Sequence, residues 1–188
     1  MARKGKRALA DPTQLKPFES GDDAGETLVV IVETPKGSRN KYAFDPQQEI
    51  FTLRRVLPAG MAFPYDFGFV PSTLAEDGDP LDVLVLMDEP AFPGCRLSCR
   101  VIGIIEGEAI EHKQGERNDR LVAVELSNHT FAEVRHIDDL GAAFARELEG
   151  FFVNYHRLAG TRYRVIGLKG PTAARRAIRR AQRLARKK

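Results

Sequence analysis

Four acidic side chains fall within seven residues at Glu76-Asp77-Gly78-Asp79-Pro80-Leu81-Asp82, immediately before the apolar run Val83–Met87. In extended geometry Asp77 and Asp79 share a face, and the turn imposed by Gly78 and Pro80 brings Asp82 round to them. Carboxylates held this close repel one another, and either protonation or a hard cation relieves the repulsion. An all-oxygen donor set with room for water suits Mg²⁺ or Mn²⁺. Taken alone, the same residues also read as a solvated acidic turn. They do not form an EF-hand loop, because Leu81 stands at the fifth position and Asp82 where the sharp-turn glycine belongs.

Other chemistry is sparse. The chain has no phosphate-binding Gly-x-x-x-x-Gly-Lys loop, no dinucleotide Gly-x-Gly-x-x-Gly, no His-Glu-x-x-His and no Gly-x-Ser-x-Gly. The four histidines, at 112, 129, 136 and 156, are too scattered for a local metal pair. Cys95 and Cys99 lack the spacing and the second ligand pair of a zinc knuckle, so they read as reduced structural thiols.

The elements that must position the acidic loop are mostly strands. Leu28–Val32, Lys41–Phe44, Phe51–Val56, Val83–Met87, Arg96–Ile105, Leu121–Leu126 and Tyr163–Leu168 are β-branched or alternating runs bounded by Gly, Pro or Asp. Many short strands at this spacing predict a small barrel. Two helices are expected. The first is capped by Asp138-Asp139, places Leu140, Phe144, Leu148, Phe151, Phe152, Tyr155 and Leu158 at steps of three and four, and stops at Gly160. The second starts at Pro171 and sets Ala174, Ala177, Ile178, Ala181, Leu184 and Ala185 against a face of arginines.

Charge divides the chain in the same way. The formal balance is +3, from 29 Lys plus Arg against 26 Asp plus Glu. Residues 1–10 hold four bases and residues 171–188 hold eight, with no acid in either, so the 160 residues between them carry 17 bases against 26 acids, a net of −9. Residues 1–25 read as a basic and polar arm, 26–170 as the acidic body, and 171–188 as a basic amphipathic helix whose small apolar face must dock on its own barrel or on a neighbour. No apolar stretch approaches the roughly 20 residues that span a bilayer, and no apolar run follows the basic N-terminus as in a secretory signal, so a cytoplasmic protein is expected.

Phe63-Pro-Tyr-Asp-Phe-Gly-Phe-Val-Pro71, leading into Asp77-Gly-Asp-Pro-Leu-Asp82, resembles the signature region of the soluble family I inorganic pyrophosphatases. Val30-Ile-Val-Glu-Thr-Pro35, Lys41-Tyr42, Arg55, Leu121-Val-Ala-Val124 and Phe151-Phe152-x-x-Tyr155 extend the resemblance over roughly residues 28–170. It implies a mainly β (α+β) fold, an OB-like five-stranded barrel with flanking α-helices, that hydrolyses pyrophosphate with several Mg²⁺ ions, Mn²⁺ being the other cation the donors suit. By the same resemblance Asp77 and Asp82 are metal ligands, Asp82 bridging two ions, and Asp79 accepts the proton of the attacking water. Lys41, Arg55 and the Tyr155 hydroxyl cradle the phosphates, and Glu33 lines the metal cavity. A homo-oligomer, a hexamer in bacterial members, is implied as well.

The chain departs from that pattern at several positions. Ala43 stands where the family has a glutamate, Phe63 and Phe67 replace tyrosines, and His156 replaces a lysine, giving a cation only below about pH 6.5 unless its surroundings shift it. In His112-Lys-Gln-Gly-Glu-Arg-Asn-Asp-Arg120 the first metal aspartate has become His112 or Lys113, and Arg120 stands in for a phosphate-binding lysine. The second aspartate corresponds to Asn118, or to Asp119 after a one-residue slip; strand alternation favours Asn118, which then shares a face with Arg120. Arg117 is a further candidate phosphate contact. These losses of charge predict fewer tightly bound metals. Two other readings are a hydrolase of a larger phosphoanhydride, such as short polyphosphate or a nucleotide, and a weakened OB-like scaffold whose basic ends contact nucleic acid or polyphosphate.

Overall fold

A computed structural model describes residues 11–20, 26–111 and 114–187. Most of the expected N-terminal arm, together with His112 and Lys113, lies outside the described residues. In chain order the elements are β1 (Phe18–Ser20), β2 (Glu26–Thr34), β3 (Asn40–Asp45), β4 (Ile50–Val56), β5 (Asp66–Phe69), β6 (Asp82–Leu86), β7 (Arg96–Glu111), β8 (Gln114–Arg117), β9 (Arg120–Glu125), α1 (Gly141–Leu158), β10 (Arg162–Lys169) and α2 (Pro171–Ala185). Five strands close a ring in the order β2-β5-β6-β9-β7, with β7 returning to β2. Strand β1 extends the ring at β2, β8 and β10 pair with β7, and β3 and β4 form a separate hairpin. This is the five-stranded barrel expected from the sequence, and closure leaves the ring no free edge.

Burial on both faces explains the apolar runs in the middle of the barrel. β6 and β9 pair in parallel, Val83 with Leu121 through Leu86 with Val124, and every residue of both four-residue runs is buried. Val83, Val85, Leu121 and Ala123 pack with Leu28, Val30 and Val32 and with Ala174, Ile178 and Ala181 of α2. The alternate set, Leu84, Leu86, Val122 and Val124, packs with Phe67 and with Phe144, Leu148 and Phe152 of α1. The C-terminal helix therefore docks on its own barrel. Its arginine face meets acidic surface, with Arg175 and Arg179 at Glu26 and Arg180 at Glu76.

Strand β7 bends to reach four partners. Its register shifts between Val101 and Gly103, where a Cβ would lie 2.7 Å from both the Ile137 Cβ and the Lys169 carbonyl oxygen, so only glycine lets the strand pass there.

Three local expectations change. β5 forms inside Phe63–Pro71, a segment absent from the strands expected from the sequence. Strands β1 and β8 also form, each too short to carry a periodicity of its own. The first helix is not capped by Asp138-Asp139: a 3₁₀ turn, Ile137–Leu140, precedes α1, and His136 Nδ1 accepts the Asp138 N–H. Asp139 instead reaches back to accept the N–H groups of Arg135 and His136.

Candidate active site

The acidic loop is held from beneath by a buried hydroxyl. Thr73 Oγ1 donates to the Val70 carbonyl at 2.5 Å and accepts the Leu81 N–H at 2.9 Å. Above it the chain turns: the Ala75 N–H donates to the Asp79 carbonyl at 2.7 Å, and Gly78 takes φ +90°, a conformation that disfavours other residues. The loop is thus a turn, not an extended segment, and Asp77 and Asp79 approach through it; the Asp79 N–H donates to Asp77 Oδ1 at 3.2 Å. Asn118 Nδ2 donates to Asp77 Oδ2 at 3.4 Å, joining this loop to the start of β9.

Cations come from the separate hairpin. Lys41 and Arg55 are cross-strand partners of β3 and β4, and both reach Tyr155 of α1. The Lys41 ammonium lies 5.6 Å and the Arg55 guanidinium 5.6 Å from its ring centroid, with Lys41 also 5.8 Å from that of Phe67. Glu33, at the end of β2, accepts the Phe44 N–H at 2.9 Å, so one carboxylate ties the barrel to the hairpin.

Burial dominates the electrostatics. It pushes the Glu33 carboxyl up to about 7, against the Phe44 hydrogen bond and helped by repulsion from Asp82 and Asp79. It likewise pushes Asp82 up to about 6, with Arg120 and Lys41 opposing and Asp77 and Asp79 reinforcing. The Asp77 carboxyl is also raised, by burial and the neighbouring Asp79 and Glu116. Burial alone would lower Lys41, yet Tyr155, Asp82 and Glu33 raise it on balance. These are carboxylates short of positive charge.

Among the described residues Arg120 is the one buried arginine, 3% exposed. Its guanidinium sits 4.2 Å from the Phe152 ring centroid and 4.8 Å from that of Tyr163. Nη1 donates to the Asn118 carbonyl at 3.3 Å, Nη2 meets His156 Nε2 at 3.3 Å, and Nε stands 3.7 Å from Asp82 Oδ2. Nε itself has no hydrogen-bond partner.

Known proteins share this frame. A family profile described as "Inorganic pyrophosphatase" matches residues 30–186, most of the chain. The chain belongs to the inorganic pyrophosphatase family. An inorganic pyrophosphatase of Geobacillus stearothermophilus is 42% identical over 148 residues, 79% of this chain and 87% of that one. One of Synechocystis is 41% identical over 140 residues, 74% of this chain and 80% of that one. The crystal structure of the Thermus thermophilus inorganic pyrophosphatase superposes with a TM-score of 0.83 at 34% identity, covering 94% of this chain and 99% of that one.

For a member of the pyrophosphatase family, the donor set fits a hard cation by its chemistry. The carboxylates are all oxygen donors with raised affinity for positive charge, and the buried Asn118 Oδ1 has no hydrogen-bond partner. Among the described residues no three His, Cys, Asp or Glu side chains converge on one point, so the turn does not bring Asp82 together with Asp77 and Asp79 as the sequence led us to expect.

Asp119 and Arg117 turn elsewhere. Asp119 accepts the Gly107 N–H at 3.0 Å and pairs with Arg117 at 2.9 Å, and Arg117 also faces Glu106 at 3.6 Å. Both line a groove of about 360 Å³ beside Arg180 of α2. Asn118 and Arg120 share the side of the acidic loop, as alternation predicts. Thr73, Tyr163 and Thr161 escape a reading of the sequence: Tyr163 acts through Asn118, 45 residues away, while Thr73 and Thr161 act through turn contacts that carry no motif. In the structure a Cβ on Gly107 would lie 1.8 Å from the Tyr163 hydroxyl oxygen, so glycine at 107 is what admits that phenol.

His156 does not behave as a lysine substitute. Burial, then the cations Arg120, Lys41 and Arg55, push it down to about 4, so it is neutral near pH 7. A histidine whose folded value lies below its unfolded 6.5 contributes stability present above pH 6.5 and lost as pH falls toward 4, because only the unfolded chain takes up the proton in that window. Urea midpoints measured from pH 7 to 4 are expected to fall more steeply for the wild type than for His156→Gln; parallel curves would contradict a buried neutral ring.

Proposed function

We propose that the chain hydrolyses inorganic pyrophosphate to two phosphates, using Mg²⁺, or Mn²⁺ in its place, held by Asp77, Asp82 and Asn118 with Glu33 lining the same cavity. The observation that carries this reading is the surrounding of Asp82 by the carboxylates of Asp77 and Asp79 and by the cations Lys41 and Arg120. A tetra-anionic substrate needs both: carboxylates to collect metal, and fixed cations to take charge from the leaving phosphate. Bound there, Mg²⁺ supplies a water of lowered pKa and neutralises phosphate charge.

The remaining steps belong to the side chains. Asp79, exposed at the loop tip, takes the proton of the attacking water as its oxygen bonds to phosphorus. The bond from that phosphorus to the bridging oxygen breaks, and the electron pair leaves on the second phosphate. Lys41, Arg55 and Arg120 hold the phosphate oxygens, with Tyr155 anchoring the first two. Residues 26–170 carry this machinery, and the enzyme is read as a cytoplasmic homo-oligomer, hexameric by the family resemblance. The unpaired Cys95 and Cys99 support a reducing compartment. No described helix is long and apolar enough to cross a membrane.

Phosphate release from pyrophosphate, measured with Mg²⁺ and with excess chelator, tests the reading. Mg²⁺-dependent release is expected; no release, or release indifferent to the chelator, overturns it. Asn118 offers a carbonyl where a carboxylate would add charge. Asn118→Asp is expected to tighten Mg²⁺ binding about tenfold by titration calorimetry, and unchanged binding would remove residue 118 from the ligand set.

A further inference from the structure

The ring nitrogens of His156 are assigned by their neighbours. The Thr161 hydroxyl donates to the His156 carbonyl at 3.2 Å, which spends its only hydrogen. His156 Nδ1, 3.1 Å from Thr161 Oγ1, must therefore carry the proton in that contact. Nε2 is left as a lone pair, and it faces Arg120 Nη2 at 3.3 Å. A guanidinium only donates, so no other tautomer satisfies this arrangement. The ring is also fixed in plane: it stacks on Tyr163 with centroids 4.8 Å apart and an interplanar angle of 15°, while the Tyr163 hydroxyl donates to the Asn118 carbonyl at 3.0 Å.

Arg120 and His156 thus form one unit. The guanidinium is bounded by the Phe152 and Tyr163 rings, the Asn118 carbonyl takes one N–H and His156 takes another. Three N–H bonds remain, one on each of Nη1 and Nη2 and the Nε–H, which is buried without a partner with Nε 3.7 Å from Asp82. We propose that His156 is a positioning residue that acts as a neutral acceptor, aiming the free N–H groups of Arg120 at substrate phosphate beside Asp82. This inference rests on the pyrophosphatase reading above. It requires that any acceptor of similar reach serve at 156 and that a cation fail there, because a second donor would push the guanidinium out of its slot. The charged groups around the ring agree: Arg120, Lys41 and Arg55 all bear on His156, and each disfavours positive charge there.

Three variants of the full chain separate this role from a merely structural one. His156→Gln keeps an acceptor and is expected to retain pyrophosphate turnover within about threefold. His156→Lys is expected to lose about 10- to 100-fold in kcat/KM while still folding. In an Arg120→Ala background the same His156→Lys change is expected to do nothing further, since the group it displaces is gone. Equal activity of the Gln and Lys variants, or an undiminished Lys effect without Arg120, overturns the inference. A second readout needs no turnover: ring ¹⁵N shifts of His156 in the wild type at pH 7 are expected to report protonated Nδ1 and bare Nε2. The other tautomer or an imidazolium would sink the proposal even if the protein hydrolysed pyrophosphate. Absent turnover with the expected tautomer would instead fault the functional reading and leave the Arg120–His156 unit standing.

Discussion

Asp79→Asn is expected to lower pyrophosphate turnover by about 10²–10⁴-fold, the range typical of a lost general base, while leaving thermal stability almost unchanged. The structure separates these effects. Asp79 is exposed, and its described hydrogen bonds run through its backbone, to Asp77 Oδ1 and from the Ala75 N–H. Its side chain therefore does nothing for the fold, and exposed substitutions of that kind shift stability by about 0.5 kcal/mol or less. Asp82→Ala makes the contrast. That carboxylate faces the buried Arg120 and the half-buried Lys41, and removing it leaves Arg120 without its counter-charge and Lys41 with Glu33 alone, so activity and stability fall together. Phosphate release and a thermal melt on both variants decide the matter. Turnover of Asp79→Asn within threefold of the wild type would remove Asp79 from the chemistry.

Much of this site was legible because it rests on short-range rules. Gly78 and Pro80 announce the turn that links Asp77 to Asp79, and period-two alternation puts Asn118 and Arg120 together and Asp119 apart, even though Asn118 lies just outside both strands. The doubly buried runs of β6 and β9 reveal a closed core. What stayed hidden depends on which side chains meet in space. His156 reads as a conditional cation until Arg120, Lys41 and Arg55 are seen around it. Arg117 reads as a phosphate ligand until Asp119 and Glu106 are seen to occupy it. β5 has no alternating polar face to betray it, because all four of its residues are buried.

That strand also carries the largest expected loss of stability. Asp66, fully buried on β5, is surrounded by apolar aromatic sequence and reads as part of a motif rather than as a structural group. Its Oδ1 accepts the Lys36 N–H at 2.7 Å and its Oδ2 the Ala91 N–H at 2.8 Å. Burial raises its pKa, and those two bonds work against the rise. One carboxylate thus clamps two loops that have no ladder of their own. Asp66→Ala leaves both part-buried N–H groups without their acceptor; at about 1–3 kcal/mol for each group left unsatisfied the expected loss is about 2–6 kcal/mol. In a chain of this size that corresponds to a fall in melting temperature of about 10 °C. Asp66→Asn keeps one acceptor but turns an NH₂ toward the other donor, so it is expected to lose nearly as much. The consequence reaches the chemistry because Lys36 leads into the hairpin, where the next residue, Gly37, donates to the Phe63 carbonyl at 2.8 Å. Loosening that root frees Lys41 and Arg55 to drift from Tyr155, so kcat/KM should fall below the melting transition as well. Calorimetry and turnover at 25 °C on Asp66→Ala check both. A melt within 2 °C of the wild type would show that the two loops hold their places without the carboxylate.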